Sequence, residues 1–134
     1  MYKSWIILNV SLYSANVDRV CQFCYVKLQA NAVEWRRILK TLNVLEFVVK
    51  NGGPQAVMQL KRDTYKISSL CNFNYMENGV ERGGAVREKV NLICDLLGSE
   101  QRLHQERAEA FEYRKKFYPG AGPTAEQAGI TNPG

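Results

Sequence analysis

One segment of the chain reads Glu34-Trp-Arg-Arg-Ile-Leu-Lys-Thr-Leu-Asn-Val-Leu-Glu-Phe-Val-Val-Lys-Asn-Gly-Gly53. At about 100° per residue, a helix over this segment places Arg36, Arg37 and Lys40 on one side. The opposite sector is apolar, a pattern typical of a helix that packs on a core. The apolar sector holds Trp35, Ile38, Leu39, Leu42, Leu45, Val48 and Val49.

The second half of this helix is apolar around its circumference, because Val44 and Phe47 occupy the sector that is basic near its start. Such a segment must be enclosed by other helices, whereas the cations must stay solvated or meet an anion. The run Asn51-Gly52-Gly53-Pro54 ends the helix with residues that tolerate positive φ and then block continuation. We predict a central helix with one solvent-exposed, basic end.

The rest of the chain also has helical periodicity, broken at glycine and proline. Tyr65 and either Ile67 or Leu70 are expected to face inward, and the segment 73–84 is expected to be an ordered loop. The last helix is polar and charged, and we expect Leu103, Phe111 and Phe117 to anchor it. The predicted helices are 18–29, with Asn16 as the candidate cap, then 33–50, 54–60, 63–69, 85–97 and 99–118.

The chain has 134 residues, which fits one domain with a single core. Residues 1–66 hold ten Lys or Arg against four Asp or Glu, so the net charge of +5 belongs to the first half. This asymmetry suits an anionic partner, either a membrane surface or a nucleic acid. No apolar run approaches the roughly 20 residues that span a bilayer. Residues 5–12 resemble a secretory signal only faintly, since polar residues interrupt them.

We expect neither catalysis nor a bound metal or cofactor. The single histidine, His104, lies on the charged last helix, and neither a glycine-rich phosphate loop nor a nucleophile motif is present. The four cysteines lack paired zinc-knuckle spacing and fall at apolar helical positions, which favours reduced core thiols in a cytosolic setting. These cysteines are Cys21, Cys24, Cys71 and Cys94.

Five groups of residues, taken in order and with their spacing, resemble the epsin amino-terminal homology (ENTH) domain of epsins and epsin-related clathrin adaptors. The resemblance implies an all-α, right-handed superhelical stack of about six to seven helices, similar also to VHS domains. We assign 17–118 to this domain, 1–16 to a divergent or truncated segment, and 119–134 to a flexible Pro/Gly-rich tail. The groups are Lys27-Leu28, Trp35-Arg-Arg with Lys40 and Leu45 to Gly52, Phe73-Asn-Tyr75, Val86-Arg-Glu-Lys-Val90, and Arg102-Leu103 with Glu106-Arg107-Ala108.

The resemblance also implies a cytoplasmic, peripheral membrane module that binds phosphoinositides at coated pits, endosomes or the Golgi. Lys27, Arg37 and Lys40 match lipid-contacting positions of the family, and Arg36 is their neighbour on the central helix. The resemblance implies a monomer whose full-length protein binds clathrin, clathrin adaptors or SNARE proteins and no nucleic acid.

Several departures from the family pattern weaken the expected lipid site. The amphipathic amino-terminal segment of membrane-bending members has no match here, Val33 stands where a lysine is common, and Asn78 replaces a basic residue. Three or four cations near an anionic leaflet contribute about 3 to 4 kcal/mol, a dissociation constant near the millimolar range. We therefore predict weak membrane binding and little membrane bending by this chain alone.

Two other functions stay open from the sequence. The helical stack can instead be a protein-interaction module that binds a SNARE or coat subunit, with the cations only tuning its orientation. A nucleic-acid binder is less well supported, because neither an exposed aromatic platform nor a short recognition helix is evident.

Overall fold

A computed structural model describes residues 17–117, which form six α-helices, one 3₁₀-helix and one two-stranded antiparallel sheet. Our predictions for residues 1–16 and 118–134 lie outside the described part. They include the secretory-signal pattern and the Asn16 cap. The elements are α1 (Val17–Leu28), the 3₁₀-helix (Ala32–Glu34), α2 (Trp35–Asn51), α3 (Pro54–Arg62), α4 (Thr64–Ser68), β1 (Met76–Glu77), β2 (Val80–Glu81), α5 (Gly83–Gly98) and α6 (Glu100–Phe117).

The predicted central helix is α2, which packs against α1, α3, α5 and α6. Its start is later than predicted, because the residues just before Trp35 form the 3₁₀-helix. Val44 and Phe47 are only partly buried, so the predicted enclosure of the second half is incomplete. Five apolar side chains of α2 are fully buried, and these are Ile38, Leu42, Leu45, Val48 and Val49.

The flanking helices α1 and α5 close the core on either side of α2. The stripe predicted for α5 is confirmed, since Val86, Val90 and Ile93 are fully buried. On α1, Cys21 is fully buried and Cys24 is 4% exposed. Their thiols fill apolar space as predicted, because a free cysteine packs like a small hydrophobic residue.

The turn after α2 depends on a close approach of the backbone. Gly52 has φ −72° and ψ 166°, so the turn does not use the positive φ that glycine tolerates. A Cβ atom at Gly52 would lie 2.6 Å from the carbonyl oxygen of Val48, well inside contact distance. Glycine is therefore required for space, and Pro54 then occupies the first turn of α3, where its missing N–H costs nothing.

Two buried arginines of α6 hold the end of α2. Arg107 is 5% exposed, and its guanidinium donates to the carbonyl oxygens of Val49, at 2.6 Å, and of Gly52. Arg114 donates to the side-chain oxygen of Asn51. The last carbonyl groups of a helix lack partners within it and lie at the negative end of its dipole. The two arginines therefore stabilise this helix end.

The segment predicted as an ordered loop contains a short β-hairpin that we did not predict. Met76 pairs with Glu81 and Glu77 with Val80. Asn78 has φ 52° and Gly79 has φ 80°, the left-handed pair that suits a two-residue hairpin turn. Two-residue strands are too short for alternation to indicate them.

Three side chains differ from our expectations. Tyr65 is 66% exposed while Ile67 is fully buried. Helix positions i and i+2 point about 200° apart, so these two side chains cannot both face inward. Phe117 is 55% exposed at the last residue of α6, three residues beyond Arg114, whose guanidinium already reaches the end of α2. Cys71 is exposed and lies outside the helices, so it is not a core thiol.

Candidate functional site

A pocket of about 770 Å³ opens between α1 and α2. This volume lies within the range of roughly 300 to 1,000 Å³ that is typical of small-ligand sites. The lining combines apolar side chains with long basic ones. The lining residues are Arg19, Val20, Phe23, Cys24, Lys27, Arg37, Lys40, Thr41 and Val44.

Three of the four cations that we predicted for the site line this pocket. Lys27 comes from the last turn of α1, and Arg37 and Lys40 come from the first two turns of α2. Helical periodicity explains why these three cations lie close together. Both helices bury their apolar sectors in the core and leave the cations at the seam between them. Their role in lipid binding stays a prediction.

The structure adds Arg19, which the sequence analysis did not single out, to the same pocket. Arg19, Phe23 and Lys27 recur every four residues on α1, so they lie on one face of that helix. The sequence shows this spacing, but only the packing of α1 beside α2 shows that the shared face borders the pocket. With Arg19 the lining carries four cations and, among the described residues, no acid.

Two of the pocket cations, Arg37 and Lys27, are only loosely held by other protein groups. Arg37 lies 3.4 Å from the carboxylate of Glu34, and both side chains are largely exposed. Exposed ion pairs of this kind contribute little, because water and salt screen them. The ammonium of Lys27 lies 5.1 Å from the centre of the Phe23 ring, a cation–π contact. An incoming anion can therefore compete for these groups.

Arg36, the fourth predicted site residue, is not part of the pocket lining. Its guanidinium donates to both carboxylate oxygens of Glu77 in the hairpin, at 2.9 and 3.1 Å. The Trp35 indole N–H donates to the same carboxylate at 3.3 Å, and Arg82 lies 3.5 Å from it. The hydrogen bond from Arg36 holds the pKa of Glu77 below its usual range. Arg36 must leave Glu77 before it can bind a phosphate.

The hydroxyl of Thr41 and the thiol of Cys24, which both line the pocket, are poorly placed to act as nucleophiles. The Thr41 hydroxyl donates to the carbonyl oxygen of Arg37 at 2.9 Å, as in many helices. Burial raises the pKa of the Cys24 thiol to about 12, so it stays protonated and is a poor nucleophile near neutral pH. The lining suits electrostatic binding of an anion rather than a covalent step.

The described residues, 17–117, offer neither a metal site nor a helix that could span a bilayer. They contain no group of three or more His, Cys, Asp or Glu side chains arranged to hold a metal ion. Within the same part of the chain, no helix has the length and apolar character needed to cross a bilayer.

The fold and the site together define an all-α protein in which a cationic pocket lies between two packed helices. The family model of the ENTH domain matches residues 6–103, a range that begins within the segment we predicted as divergent. The chain belongs to the ENTH domain family.

The chain is similar to two epsin relatives and to a solved structure. Human epsin-3 is 32% identical over 127 residues, covering 93% of this chain and 20% of epsin-3. The Arabidopsis thaliana clathrin interactor EPSIN 1 is 33% identical over 99 residues, 73% of this chain and 18% of that protein. The chain thus spans about a fifth of the length of these curated relatives.

Among the solved structures that the chain resembles is the ENTH domain from epsin-2 in complex with phosphatidylinositol 4,5-bisphosphate. It is 26% identical with a TM-score of 0.73, covering 81% of this chain and 78% of that one. The predicted all-α superhelical architecture is confirmed by this match and by the helices of the described residues.

Proposed function

We propose that this chain is the phosphoinositide-binding module of a peripheral membrane adaptor. The observation that carries the proposal is the convergence of Arg19, Lys27, Arg37 and Lys40 on one pocket with no acid in its described lining. Clustered ammonium and guanidinium groups bind phosphate through charge-assisted hydrogen bonds. The similar epsin-2 domain is described in complex with phosphatidylinositol 4,5-bisphosphate, which supports this ligand class for the pocket.

The whole protein is proposed to act in clathrin-mediated vesicle trafficking on the cytoplasmic side of coated pits, endosomes or the Golgi. Support comes from the relative whose name describes a clathrin interactor. Contacts with clathrin, clathrin adaptors or SNARE proteins are assigned in this proposal to the full-length protein, and this module is proposed to act as a monomer without catalysis.

The test is a charge reversal of three pocket cations in one variant, Lys27→Glu, Arg37→Glu and Lys40→Glu. Cosedimentation with phosphatidylcholine vesicles is measured with and without phosphatidylinositol 4,5-bisphosphate. We expect phosphoinositide-dependent binding of the parent chain and its loss in the variant, because each cation contributes about 1 kcal/mol at an anionic surface.

The control variant carries the same change of charge on α6, where Arg102, Lys115 and Lys116 are exposed. Its three residues are likewise replaced with glutamate, and we expect it to keep most of the vesicle binding. An equal loss in both variants would show that only net charge matters. Equal binding of the parent chain to a DNA duplex would contradict phosphoinositide recognition.

The alternative function, a helical protein-interaction module, makes the opposite prediction in cells. If the pocket variant of the full-length protein is still recruited to membranes, protein contacts carry the recruitment. A SNARE or coat subunit then becomes the primary ligand, and the cations only orient the domain.

A further inference from the structure

The outer face of α1 carries apolar and basic side chains together. Arg19, Phe23, Val26 and Lys27 fall within a sector of about 100° on this helix. Phe23 is 64% exposed and Val26 is 67% exposed, although both side chains are large and hydrophobic. The opposite side of the helix is buried in the core and consists of Cys21, Cys24, Tyr25 and Leu28.

Exposure of single hydrophobic residues is normal and needs no explanation. The placement of Phe23 and Val26 is what distinguishes them. Phe23 forms part of the pocket wall together with Arg19 and Lys27, and the Lys27 ammonium lies over its ring. Val26 lies one helical turn from Phe23 on the same face. An anionic surface that meets the cations therefore meets these two apolar side chains as well.

The combination matches the way in which interfacial helices bind membranes. Such helices place aromatic and aliphatic side chains at the boundary of headgroups and acyl chains, while flanking cations meet the anionic headgroups. A folded protein partner of opposite charge would satisfy the cations of the pocket equally well. The four cations, with no acid in the described lining, complement an anionic lipid surface. The lipid is favoured over an acidic protein here because the proposed function places a phosphoinositide headgroup in the same pocket.

We propose that Phe23 and Val26 insert into the interfacial layer of a phosphoinositide-containing membrane while the pocket between α1 and α2 binds the headgroup. This inference rests on the proposed function. It assigns the apolar part of membrane binding to α1 itself, within the folded domain. Insertion of the Phe23 ring removes it from water and leaves Lys27 at the headgroup level.

The test compares a double variant, Phe23→Ser with Val26→Ser, with the parent chain. Binding to phosphatidylcholine vesicles that contain phosphatidylinositol 4,5-bisphosphate should fall about tenfold. Full burial of each side chain would shift the equilibrium by roughly ten- to a hundredfold, and insertion here is partial. Binding of soluble inositol trisphosphate, measured by calorimetry, should stay within about twofold, because the cations are unchanged.

The matched control replaces two equally exposed apolar residues elsewhere with serine. Met58 on α3 is 58% exposed and Tyr65 on α4 is 66% exposed, and neither lines the pocket. This control should bind the same vesicles as the parent chain does. Thermal unfolding of all three proteins confirms that each is folded.

Insertion itself is read from fluorescence. The variant Phe23→Trp is mixed with vesicles whose acyl chains carry bromine near the headgroup, and Met58→Trp is its control. Quenching beyond that of the parent chain is expected for Phe23→Trp and not for Met58→Trp.

The outcomes separate this inference from the proposed function. If the parent chain does not bind phosphoinositide vesicles, both the proposed function and the insertion are overturned. If the parent chain binds but the double variant binds equally and Phe23→Trp is not quenched, only the insertion is overturned. If the double variant binds vesicles normally and loses a protein partner instead, the face is a protein contact and the insertion is again overturned. If inositol trisphosphate binding also falls, the quenching result decides.

Discussion

Arg36 and Arg37 are neighbours in the chain and have the same charge, yet their surroundings differ. They point about 100° apart on α2. Arg36 turns toward the hairpin and pairs with Glu77, while Arg37 turns toward α1 and the pocket. Arg37 is therefore available to an anion, whereas Arg36 is held by a carboxylate that also accepts a hydrogen bond from Trp35.

This difference predicts unequal effects of single substitutions on phosphoinositide binding. Arg19→Ala should weaken vesicle binding roughly fivefold, the effect of one cation near an anionic leaflet. Arg36→Ala should change it less than twofold, because Arg36 does not line the pocket and Arg82 still faces the Glu77 carboxylate. The comparison is made by cosedimentation at a fixed salt concentration. A larger loss for Arg36→Ala than for Arg19→Ala would restore Arg36 as a pocket residue.

At the scale of elements, α6 departs in part from the expectation that Leu103, Phe111 and Phe117 anchor it. Leu103 does anchor its start, at 4% exposed, but Arg107 and Arg114 occupy the buried positions beyond it. Their guanidinium groups replace water at the carboxyl end of α2.

The variant Arg107→Met should lower the free energy of unfolding by about 2 to 4 kcal/mol, because two carbonyl groups at a buried helix end lose their donor. Methionine keeps much of the apolar contact of the arginine stem, so the loss reports mainly on the hydrogen bonds. Urea denaturation followed by circular dichroism measures it.

The control for this prediction is Arg102→Met on the same helix, where the side chain is exposed. Its change should stay below about 0.5 kcal/mol, as is usual for surface substitutions. Equal stability of the Arg107 and Arg102 variants would show that the contacts to Val49 and Gly52 contribute nothing measurable.

At the scale of the whole molecule, the charge asymmetry and the pocket agree. The excess of cations in the first half of the sequence includes all four that line the pocket, while some Lys and Arg of the second half pair with acids. Examples are Arg87 with Glu81 and Lys89 with Glu46. The domain therefore gathers four of these cations at the seam of α1 and α2.

For the whole chain we predict weak, salt-sensitive membrane binding. Four cations and two apolar side chains bring the dissociation constant to the order of 0.1 to 1 mM or somewhat tighter. Raising the salt from about 0.05 to 0.5 M should remove most of the bound fraction, because exposed charges are screened. Cosedimentation at several salt concentrations tests this, and electron microscopy of the vesicles should show little tubulation. Tight binding at physiological salt would contradict it.

The helices and their buried faces were predictable because they depend on local chemistry. Apolar residues three and four positions apart form one face of a helix whatever lies beyond it. For that reason α2, the stripe of α5 and the proline at the start of α3 could be found in advance. Lys27, Arg37 and Lys40 were found by resemblance, with the last two also on the basic sector of the helix.

The pairing of distant groups needed the folded molecule. Arg36 meets Glu77 across 41 residues of chain, and Arg107 meets Val49 across 58. Such contacts depend on the angles and distances between helices, which follow from how the whole core packs. Local periodicity thus determined which residues lie on the surface of α1 and α2. The packing of those helices decided that Arg19 and Phe23 join the cationic pocket and that Arg36 does not.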